Sequence, residues 1–417
     1  MATAATRSNP HPHILVFPYP AQGHMLALLD LTHQLALHGL TITILVTPKN
    51  LPFLSPLLSS HPSSITPLVF PFPSHPLIPP GVEHVKDVGN CGNRLIMAAL
   101  GKLEDPLFNW FNSQSNPPVA IISDFFLGWT QHLATRLQIP RLAFFSTRAF
   151  LVSVFDYIWN NVEKVKCLSE VEFGHLPGSP VFKQEHLPSL FKLYKISDPD
   201  WEFVKDGLLA NTKSWGYVLN SFDALEGEYV QWLKTHVGSS SDLNDQVMTW
   251  LNQCPDGSAV YVCFGSQKLL RKEQMEALAN GLEKSDTRFI WVVKPGTTQQ
   301  HVEGFGVVPD GFEQRTAGQA IVGGVMMLAW PMEADQFVNA RLLVDDMGVG
   351  VRVCEGADSV PNSDELGRVI SEAMTEGGGM KTKAKDLKEK AFAAVSHGGS
   401  SMNDLVRFVK ELGKLGR

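Results

Sequence analysis

The sequence lacks the features that mark a nucleic-acid-binding, membrane-spanning or secreted protein. Its 417 residues carry a net charge of −7, so there is no basic surplus for binding a polyanion. No apolar stretch approaches the roughly 20 residues that span a bilayer, and the polar segment 1–10 has no signal-peptide core. The five cysteines are odd in number, scattered and without metal-ligand spacing, which favours a reducing compartment. We expect a cytoplasmic monomer without a membrane span, a nucleic-acid partner or a bound metal.

The chain does contain enough apolar residues for two sizeable cores. Hydrophobic residues make up 44% of it and charged residues 18%, as in a soluble enzyme of two domains. A polar, serine-rich stretch at 238–245 is typical of an interdomain linker. We therefore predict a first domain over 1–237, a second over 246–396 and a closing helical segment over 397–417.

The N-terminal region has the pattern of a strand, a helix and a second strand. The apolar run 14–17 is too short for a helix and stops at Pro18, while the β-branched run 41–46 follows Gly39. Between them, apolar residues recur at helical spacing, namely Met25, Leu28, Leu29, Leu31 and Leu35. Ligands of open parallel sheets collect outside the carboxyl ends of the strands. His24, at the start of this helix, is therefore placed for chemistry.

Further apolar runs in the first half predict more strands of the same sheet. These runs are 119–123, 142–145 and 217–220. The first of them delivers Asp124 to its carboxyl end, where the side chain should face the same cleft as His24. A proline-rich stretch at 65–81 predicts a short edge strand followed by an irregular loop.

The second half repeats this alternation of strands and helices, which predicts an α/β fold throughout. Its predicted strands are 260–264, 289–293, 325–330 and 349–353. The turn Gly265–Ser266 follows the first of them and leads into a helix with one apolar face. The chain closes with an amphipathic helix, and we assign its apolar stripe to Leu405, Val406, Val409 and Leu412.

Four motifs stand out along the chain, and their order is informative. They are FPYPAQGH at 17–24, ISDFF at 122–126, VCFGSQ at 262–267 and AWPMEADQFVN at 329–339. Together they resemble the plant UDP-dependent glycosyltransferases of secondary metabolism, most closely the branch that acts on flavonols and related phenolics. The resemblance covers nearly the whole chain. It implies the GT-B fold, in which two Rossmann-like domains face each other, the first holding the acceptor and the second the nucleotide sugar.

The resemblance also implies a reaction and residues for it. Glucose would pass from UDP-glucose to a hydroxyl of a small phenolic acceptor, with inversion at the anomeric carbon and without a cofactor. His24 would be the base, since histidine has a near-neutral pKa, and Asp124 would orient its ring and stabilise its positive charge. On the donor side, Ser266 would approach the phosphates, and Asp335 and Gln336 would bind sugar hydroxyls. Glutamine at that last position favours glucose over galactose.

Each of these residues also has a purely structural interpretation. A lone histidine is usually a surface or core residue, and aspartate at the positions of Asp124 and Asp335 is a common helix cap. The turn at Gly265–Ser266 is compatible with an ordinary strand-to-helix connection. Four aromatic residues that follow the strands are more often core than pocket wall, namely Phe125, Phe126, Trp129 and Phe145.

The fourth motif is the tail of a longer family signature whose front is absent. In the family, a Trp-Ala-Pro-Gln segment, a strand, a His-Cys-Gly-Trp-Asn-Ser segment and a helix come before it, and they hold uracil, ribose and diphosphate. Here 320–322 meets Gly323–Gly324 and Val325 directly. Successive parallel strands need a crossover of at least about ten to twelve residues, normally with a helix. We therefore predict that the second domain lacks a strand and its flanking helices.

Three classes of function remain open at this point. An active glucosyltransferase fits His24, Asp124, Asp335 and Gln336. A non-catalytic phenolic-binding protein fits an intact first domain beside a lost nucleotide pocket, and the product of a mis-spliced transcript or faulty gene model would have no function. Several lost hydrogen bonds, each worth about 0.5–1.5 kcal/mol, weaken donor binding by orders of magnitude. We hypothesise that the chain is inactive or nearly so.

Overall fold

The computed structural model describes residues 12–236, 259–264, 268–285, 287–293, 305, 307–309, 312, 327–375 and 378–415. The predicted linker at 238–245, the junction at 320–326 and Ser266 lie outside the described residues. The limits of the two predicted domains stay a prediction.

The strands are β1 His13–Phe17, β2 Thr41–Val46, β3 Ile65–Val69, β4 Ala120–Asp124, β5 Arg141–Phe145, β6 Glu170–Glu172, β7 Val181–Lys183, β8 Gly216–Leu219, β9 Ala259–Cys263, β10 Arg288–Val292, β11 Met327–Ala329 and β12 Gly350–Arg352. The helices are α1 Gln22–Leu37, α2 Ser55–Ser60, α3 Asn93–Gly101, α4 Glu104–Asn112, α5 Thr130–Leu137, α6 Ala149–Asn160, α7 Val162–Lys166, α8 Ser189–Leu193, α9 Pro199–Ala210, α10 Asp223–His236, α11 Lys272–Lys284, α12 Gln336–Ala340, α13 Ser363–Thr375, α14 Gly378–Val395 and α15 Ser400–Leu415. Within the described ranges, no helix is both long and apolar enough to cross a bilayer.

The first half is built on a six-stranded parallel sheet in the order β3-β2-β1-β4-β5-β8. The chain lays down β1, β2 and β3 in one direction and then returns to place β4, β5 and β8 on the other side of β1. This reversal puts the carboxyl ends of β1 and β4 side by side, at the position where open α/β sheets bind their ligands. The predicted edge strand is confirmed as β3, where Pro67 is tolerated because an edge strand has one unpaired side.

Both faces of this sheet are buried, so its strands are continuously apolar rather than alternating. Alternate residues of β1 point to opposite faces: Leu15 and Phe17 pack in one core, Ile14 and Val16 in the other. The second core also holds the apolar face of α1, including Met25 and the other residues predicted from helical spacing.

The closing helix α15 packs on the first sheet, in the core that contains Ile14 and Val16. The predicted stripe is partly wrong: Val406 is 50% exposed, whereas Phe408 is only 1% exposed. At 3.6 residues per turn, Leu405, Phe408 and Leu412 share one face and Val406 turns away from it. The last described helix is therefore part of the core of the first half.

The second half contains two short parallel pairs, β10 with β9 and β11 with β12. Among the described strands, none pairs with the other edge of β9 or of β11. Two apolar cavities of about 340 and 350 Å³ lie there, and both are lined by Val260 of β9 and by Leu328 and Trp330 at β11. We call this region the β9–β11 gap.

Candidate active site

His24 and Asp124 lie 100 positions apart in the chain and meet at the switch point of the first sheet. Phe17 at the end of β1 is in register with Ser123 of β4, so the residues that follow the two strands are neighbours. His24 is in the first turn of α1, and its Nδ1 lies 2.9 Å from Oδ2 of Asp124. The structure therefore brings together the two residues that the sequence predicted to face one cleft.

Asp124 caps a short helix and also contacts His24; its role in the reaction stays a prediction. Its Oδ1 accepts a hydrogen bond of 2.9 Å from the backbone N–H of Phe126, which caps the 3-10 helix Phe125–Leu127. Its Oδ2 is left for His24, and the side chain is fully buried. Capping thus fixes the carboxylate in the orientation in which it meets the imidazole.

The pairing also assigns the protons of the imidazole. An ionised carboxylate can only accept, so Nδ1 of His24 carries a proton, and in the neutral imidazole Nε2 presents a lone pair. The ring packs against Phe125, with centroids 5.5 Å apart, and against Phe126, with centroids 4.7 Å apart. Burial lowers the pKa of His24, but the charge and hydrogen bond of Asp124, together with the charge of Asp335, outweigh it and raise the pKa above its usual value.

Arg141 forms hydrogen bonds with the end of β4. The sequence did not point to this residue. Its buried guanidinium donates to the carbonyl oxygen of Asp124 at 3.2 Å, to Ser123 Oγ at 2.9 Å and to Asn211 Oδ1 at 2.6 Å. Burial lowers the pKa of Arg141 to about 9, although Tyr217 and Asp124 oppose the shift. These bonds rigidify the backbone that positions the Asp124 carboxylate.

The loop before α12 faces His24 from the second half. Ala334 adopts a left-handed conformation with φ of 57°, and Asp335 occupies the N-cap position of α12 without making a side-chain cap bond. Its Oδ2 instead accepts from Nδ2 of Asn339 at 2.8 Å. Gln336 Oε1 accepts from the N–H groups of Met332 at 2.8 Å and Glu333 at 3.3 Å. These bonds give the loop a defined shape; the ligand roles of Asp335 and Gln336 stay a prediction.

A direct clamp joins this loop to the first half. The Ser189 hydroxyl accepts from the N–H of Ala334 at 2.7 Å, and the N–H of Ser189 donates to the Ala334 carbonyl at 3.1 Å. Beside it, the rings of His186 and Phe337 stack with centroids 4.3 Å apart. No local sequence pattern marks Ser189, because the contact joins residues 145 positions apart.

A cavity of about 450 Å³ lies between the two halves, in the size range of small-molecule sites. His24, Asp335 and Gln336 line it, so three of the predicted site residues share one space, with Asp124 directly behind His24. Phe125 and Phe126 are also in its wall. The other two candidate aromatics are core residues, since Trp129 and Phe145 are buried in the first core.

Comparison with known proteins agrees with this architecture. No family model matches the chain. It is 48% identical to UDP-glycosyltransferase 89A2 of Arabidopsis thaliana, over 99% of this chain and 98% of that protein. It is 42% identical to the flavonol 3-O-glucosyltransferase UGT89B1 of the same plant, over 97% of each chain.

Solved structures give the same result. The crystal structure of Arabidopsis thaliana UGT89C1 with quercetin has a TM-score of 0.74 and 35% identity, over 97% of this chain and 100% of that one. Its complex with UDP-L-rhamnose has a TM-score of 0.75 and 34% identity, over the same shares of the two chains. The fold is thus the two-domain GT-B arrangement that the motifs predicted.

Proposed function

The chain belongs to the plant UDP-glycosyltransferases, a family of enzymes, and on that premise we propose that its site transfers glucose from UDP-glucose to a hydroxyl of a small phenolic acceptor. The observation that carries the proposal is the pair His24–Asp124, with Nδ1 and Oδ2 2.9 Å apart, beside a cavity that Asp335 and Gln336 also line. A base and a sugar-binding loop are the two parts that such a transfer needs.

The proposed mechanism uses the free nitrogen of His24. Nε2 takes the proton of the phenolic hydroxyl as that oxygen attacks the anomeric carbon of the sugar. The new C–O bond forms as the bond to the UDP oxygen breaks on the opposite face, so the anomeric centre is inverted. Asp124 stabilises the imidazolium that results, which is the same interaction that raises the pKa of His24 in the resting protein.

The choice of glucose rests on Gln336 and on one relative. The name of UGT89B1 states glucosyl transfer to a flavonol, whereas UGT89C1 has been crystallised with UDP-L-rhamnose. Because both proteins are similar to this chain, a competition between UDP-glucose and UDP-rhamnose for the same protein tests the donor directly. Preference for UDP-rhamnose would contradict the proposed glucose donor.

A second candidate is a phenol-binding protein with little or no transfer, and a specific observation favours it. The alignments to UDP-glycosyltransferase 89A2 and UGT89B1 extend over 468 and 466 positions, more than the 417 residues of this chain. Parts of each relative therefore have no counterpart here. The β9–β11 gap is where a further parallel strand would fit between two existing pairs. We propose that the lost part weakens UDP-sugar binding and leaves the acceptor side intact.

Calorimetric titration with UDP-glucose decides between the two candidates. The experiment compares the 417-residue chain with a version that carries a family-like insert between Val322 and Val325. Each protein is titrated with UDP-glucose and, separately, with quercetin. Binding of UDP-glucose by the insert version alone makes this chain an acceptor-binding remnant. Binding by both, followed by product formation, establishes the transferase. Failure of both to bind quercetin would refute the phenolic acceptor.

We further propose that the protein acts as a cytosolic monomer with no cofactor besides the donor sugar nucleotide. Two free cysteines of the described residues, Cys91 and Cys167, are exposed, which supports a reducing compartment. Light scattering of the purified chain tests the monomer.

A further inference from the structure

His84 is a buried histidine outside the candidate site, and its two ring nitrogens have different surroundings. Only 4% of the residue is exposed. Its Nδ1 accepts a hydrogen bond of 3.0 Å from the backbone N–H of Lys86 and so caps the 3-10 helix Val85–Asp87. A backbone N–H can only donate, so the proton of the neutral ring is on Nε2. Nε2 is shielded from solvent, and no atom of the described residues accepts a hydrogen bond from it.

The capped helix is bonded to the loop that leads to His24. The backbone N–H of Val85 donates to the carbonyl oxygen of Pro20 at 3.0 Å. Pro20 belongs to residues 18–21, which connect β1 to α1 and which we call the site loop. Because His24 is in the first turn of α1, the cap at His84 supports the backbone from which the imidazole of the candidate site projects.

The residues after the capped helix form part of the cavity wall. The N–H of Gly89 donates to the carbonyl oxygen of Val85 at 2.7 Å, which fixes the turn that follows. Beyond this turn, Asn90 and Asn93 line the cavity. The hydroxyl of Tyr19, in the site loop, donates to Oδ1 of Asn93 at 2.8 Å. One short segment therefore holds the site loop at two points and supplies two asparagines to the cavity.

The surroundings of the His84 ring favour its neutral form. The ring lies beside Phe53, with centroids 5.8 Å apart, and Phe53 belongs to the 3-10 helix Leu51–Leu54, which has no charged residue. Burial lowers the pKa of His84, and the charge of Lys86 lowers it further, while Asp87 acts in the opposite direction. The packing thus disfavours a positive charge on the ring.

Protonation of His84 is incompatible with the hydrogen bonds around it. A second proton would occupy Nδ1, where it would face the N–H of Lys86, so the cap would be lost. The adjacent carboxylate does not replace it, because Oε2 of Glu83 accepts from the backbone N–H of Lys49 at 2.8 Å. A buried charge without a hydrogen-bond partner is costly, so the protonated ring must turn towards solvent.

We propose that neutral His84 is a positioning residue for the candidate site and that its protonation releases the site loop. Because burial lowers the pKa of His84, the capped arrangement is fully favoured above about pH 6.5, the ordinary value for histidine, and is lost progressively below it. Release also frees Asn90 and Asn93, so we expect acceptor binding to weaken at acidic pH. This last step rests on the proposed function.

Hydrogen exchange of the full chain tests the inference without a ligand. The amides of Lys86 and Val85 report the cap, and the amide of Ala21, which donates to the Tyr19 carbonyl at 2.8 Å, reports the site loop. His84→Ala removes the cap, so protection of these amides at pH 7.5 should fall about two- to thirty-fold. His84→Asn keeps an acceptor near the position of Nδ1, and asparagine is a favoured N-cap residue, so it should restore the protection.

The pH profile of the same amides assigns the release to protonation of His84. In the wild type, protection corrected for the intrinsic exchange rate should fall by up to about ten-fold per pH unit below about pH 6.5. His84→Asn should lose this part of the profile, while His397→Asn, at an exposed position, is the control and should keep it. Unchanged exchange in His84→Ala, or a profile that persists in His84→Asn, would overturn the inference.

Titration with quercetin at pH 7.5 and pH 5.5 measures the consequence for the cavity. His24 is present in both the wild type and His84→Asn, so a difference between the two proteins isolates His84. We expect the loss of affinity at the lower pH to be up to about ten-fold larger in the wild type. Equal losses would overturn the role of His84 for the cavity. Absence of binding by every protein would refute the phenolic acceptor, while the exchange measurements still decide whether His84 holds the site loop.

Discussion

Replacing Asp124 by asparagine removes the charge that holds His24 and keeps the size of the side chain. In the wild type, burial lowers the pKa of His24, while Asp124 at 2.9 Å and the charge of Asp335 raise it further than burial lowers it. A hydrogen bond between charged groups is worth about 1.5–3 kcal/mol. Without this interaction, the lowering of the pKa by burial is less compensated, so we expect the pKa of His24 to be lower in Asp124→Asn than in the wild type.

The same change lowers stability by an amount that depends on pH. Because folding raises the pKa of His24, its protonation stabilises the fold fully at a pH below the unfolded value of about 6.5. That contribution is lost as the pH rises through the higher folded value. At acidic pH, loss of the interaction with His24 should therefore lower the free energy of unfolding of Asp124→Asn by about 1.5–3 kcal/mol relative to the wild type. Above the folded pKa of His24 this difference should be smallest.

An NMR titration of the histidine ring protons measures the pKa of His24 directly, with His24→Gln used to assign its signal. Asp335→Asn is the matched control, because Asp335 contributes in the same direction but less than Asp124. We expect both variants to lower the pKa, Asp124→Asn by more. An unchanged or higher pKa in Asp124→Asn, or a larger fall in Asp335→Asn, would refute the assignment of Asp124 as the main partner of His24.

Three further predictions concern the packing of α15, the start of α6 and the clamp at Ser189. Phe408→Ala should lower the free energy of unfolding, measured in urea, by about 3–5 kcal/mol because loss of the buried ring leaves a cavity. Val406→Ala, at a half-exposed position, is the control and should change it by less than about 0.5 kcal/mol. Equal effects of the two changes would show that α15 is not docked. Glu226→Ala should lower the free energy of unfolding by about 1–3 kcal/mol, because it leaves buried N–H groups at the start of α6 unpaired. Glu228→Ala, at an exposed neighbouring position, is the control in the same denaturation assay. Ser189→Ala removes the acceptor for the Ala334 N–H, so hydrogen exchange at that amide should become about ten-fold faster or more; unchanged protection would contradict the clamp.

The regular parts of the fold were predictable because their signals are local. Buried strands such as β1 and β2 show short apolar or β-branched runs, and α1 shows helical spacing, so each was located from neighbouring residues alone. His24 and Asp124 were predictable as a pair because both follow strands of one parallel sheet, and the family motifs named them. The prediction of the apolar stripe of α15 is wrong at Val406, because the apolar residues of this helix are compatible with more than one buried face.

The contacts that complete the site were not predictable, because they join residues far apart in the chain. Arg141 reaches the Asp124 carbonyl from the neighbouring strand, and Ser189 meets Ala334 across the interface of the two halves. Glu226 caps a helix more than 70 positions before it. The residues next to a polar side chain do not indicate a partner that is distant in the sequence. Their pattern is that of an ordinary loop or helix start.

The adjacency of β1 and β4 has a consequence for how such a chain changes over generations. Asp124 and Arg141 lie on adjacent strands of one sheet of the first half, and His24 lies in the helix that follows the neighbouring strand β1. Mutations and deletions in the second half can therefore accumulate while the His24 imidazole keeps its partner and its orientation. A descendant that has lost its sugar donor would keep a cavity for hydroxylated ligands, in which the neutral His24 ring could serve as a hydrogen-bond acceptor.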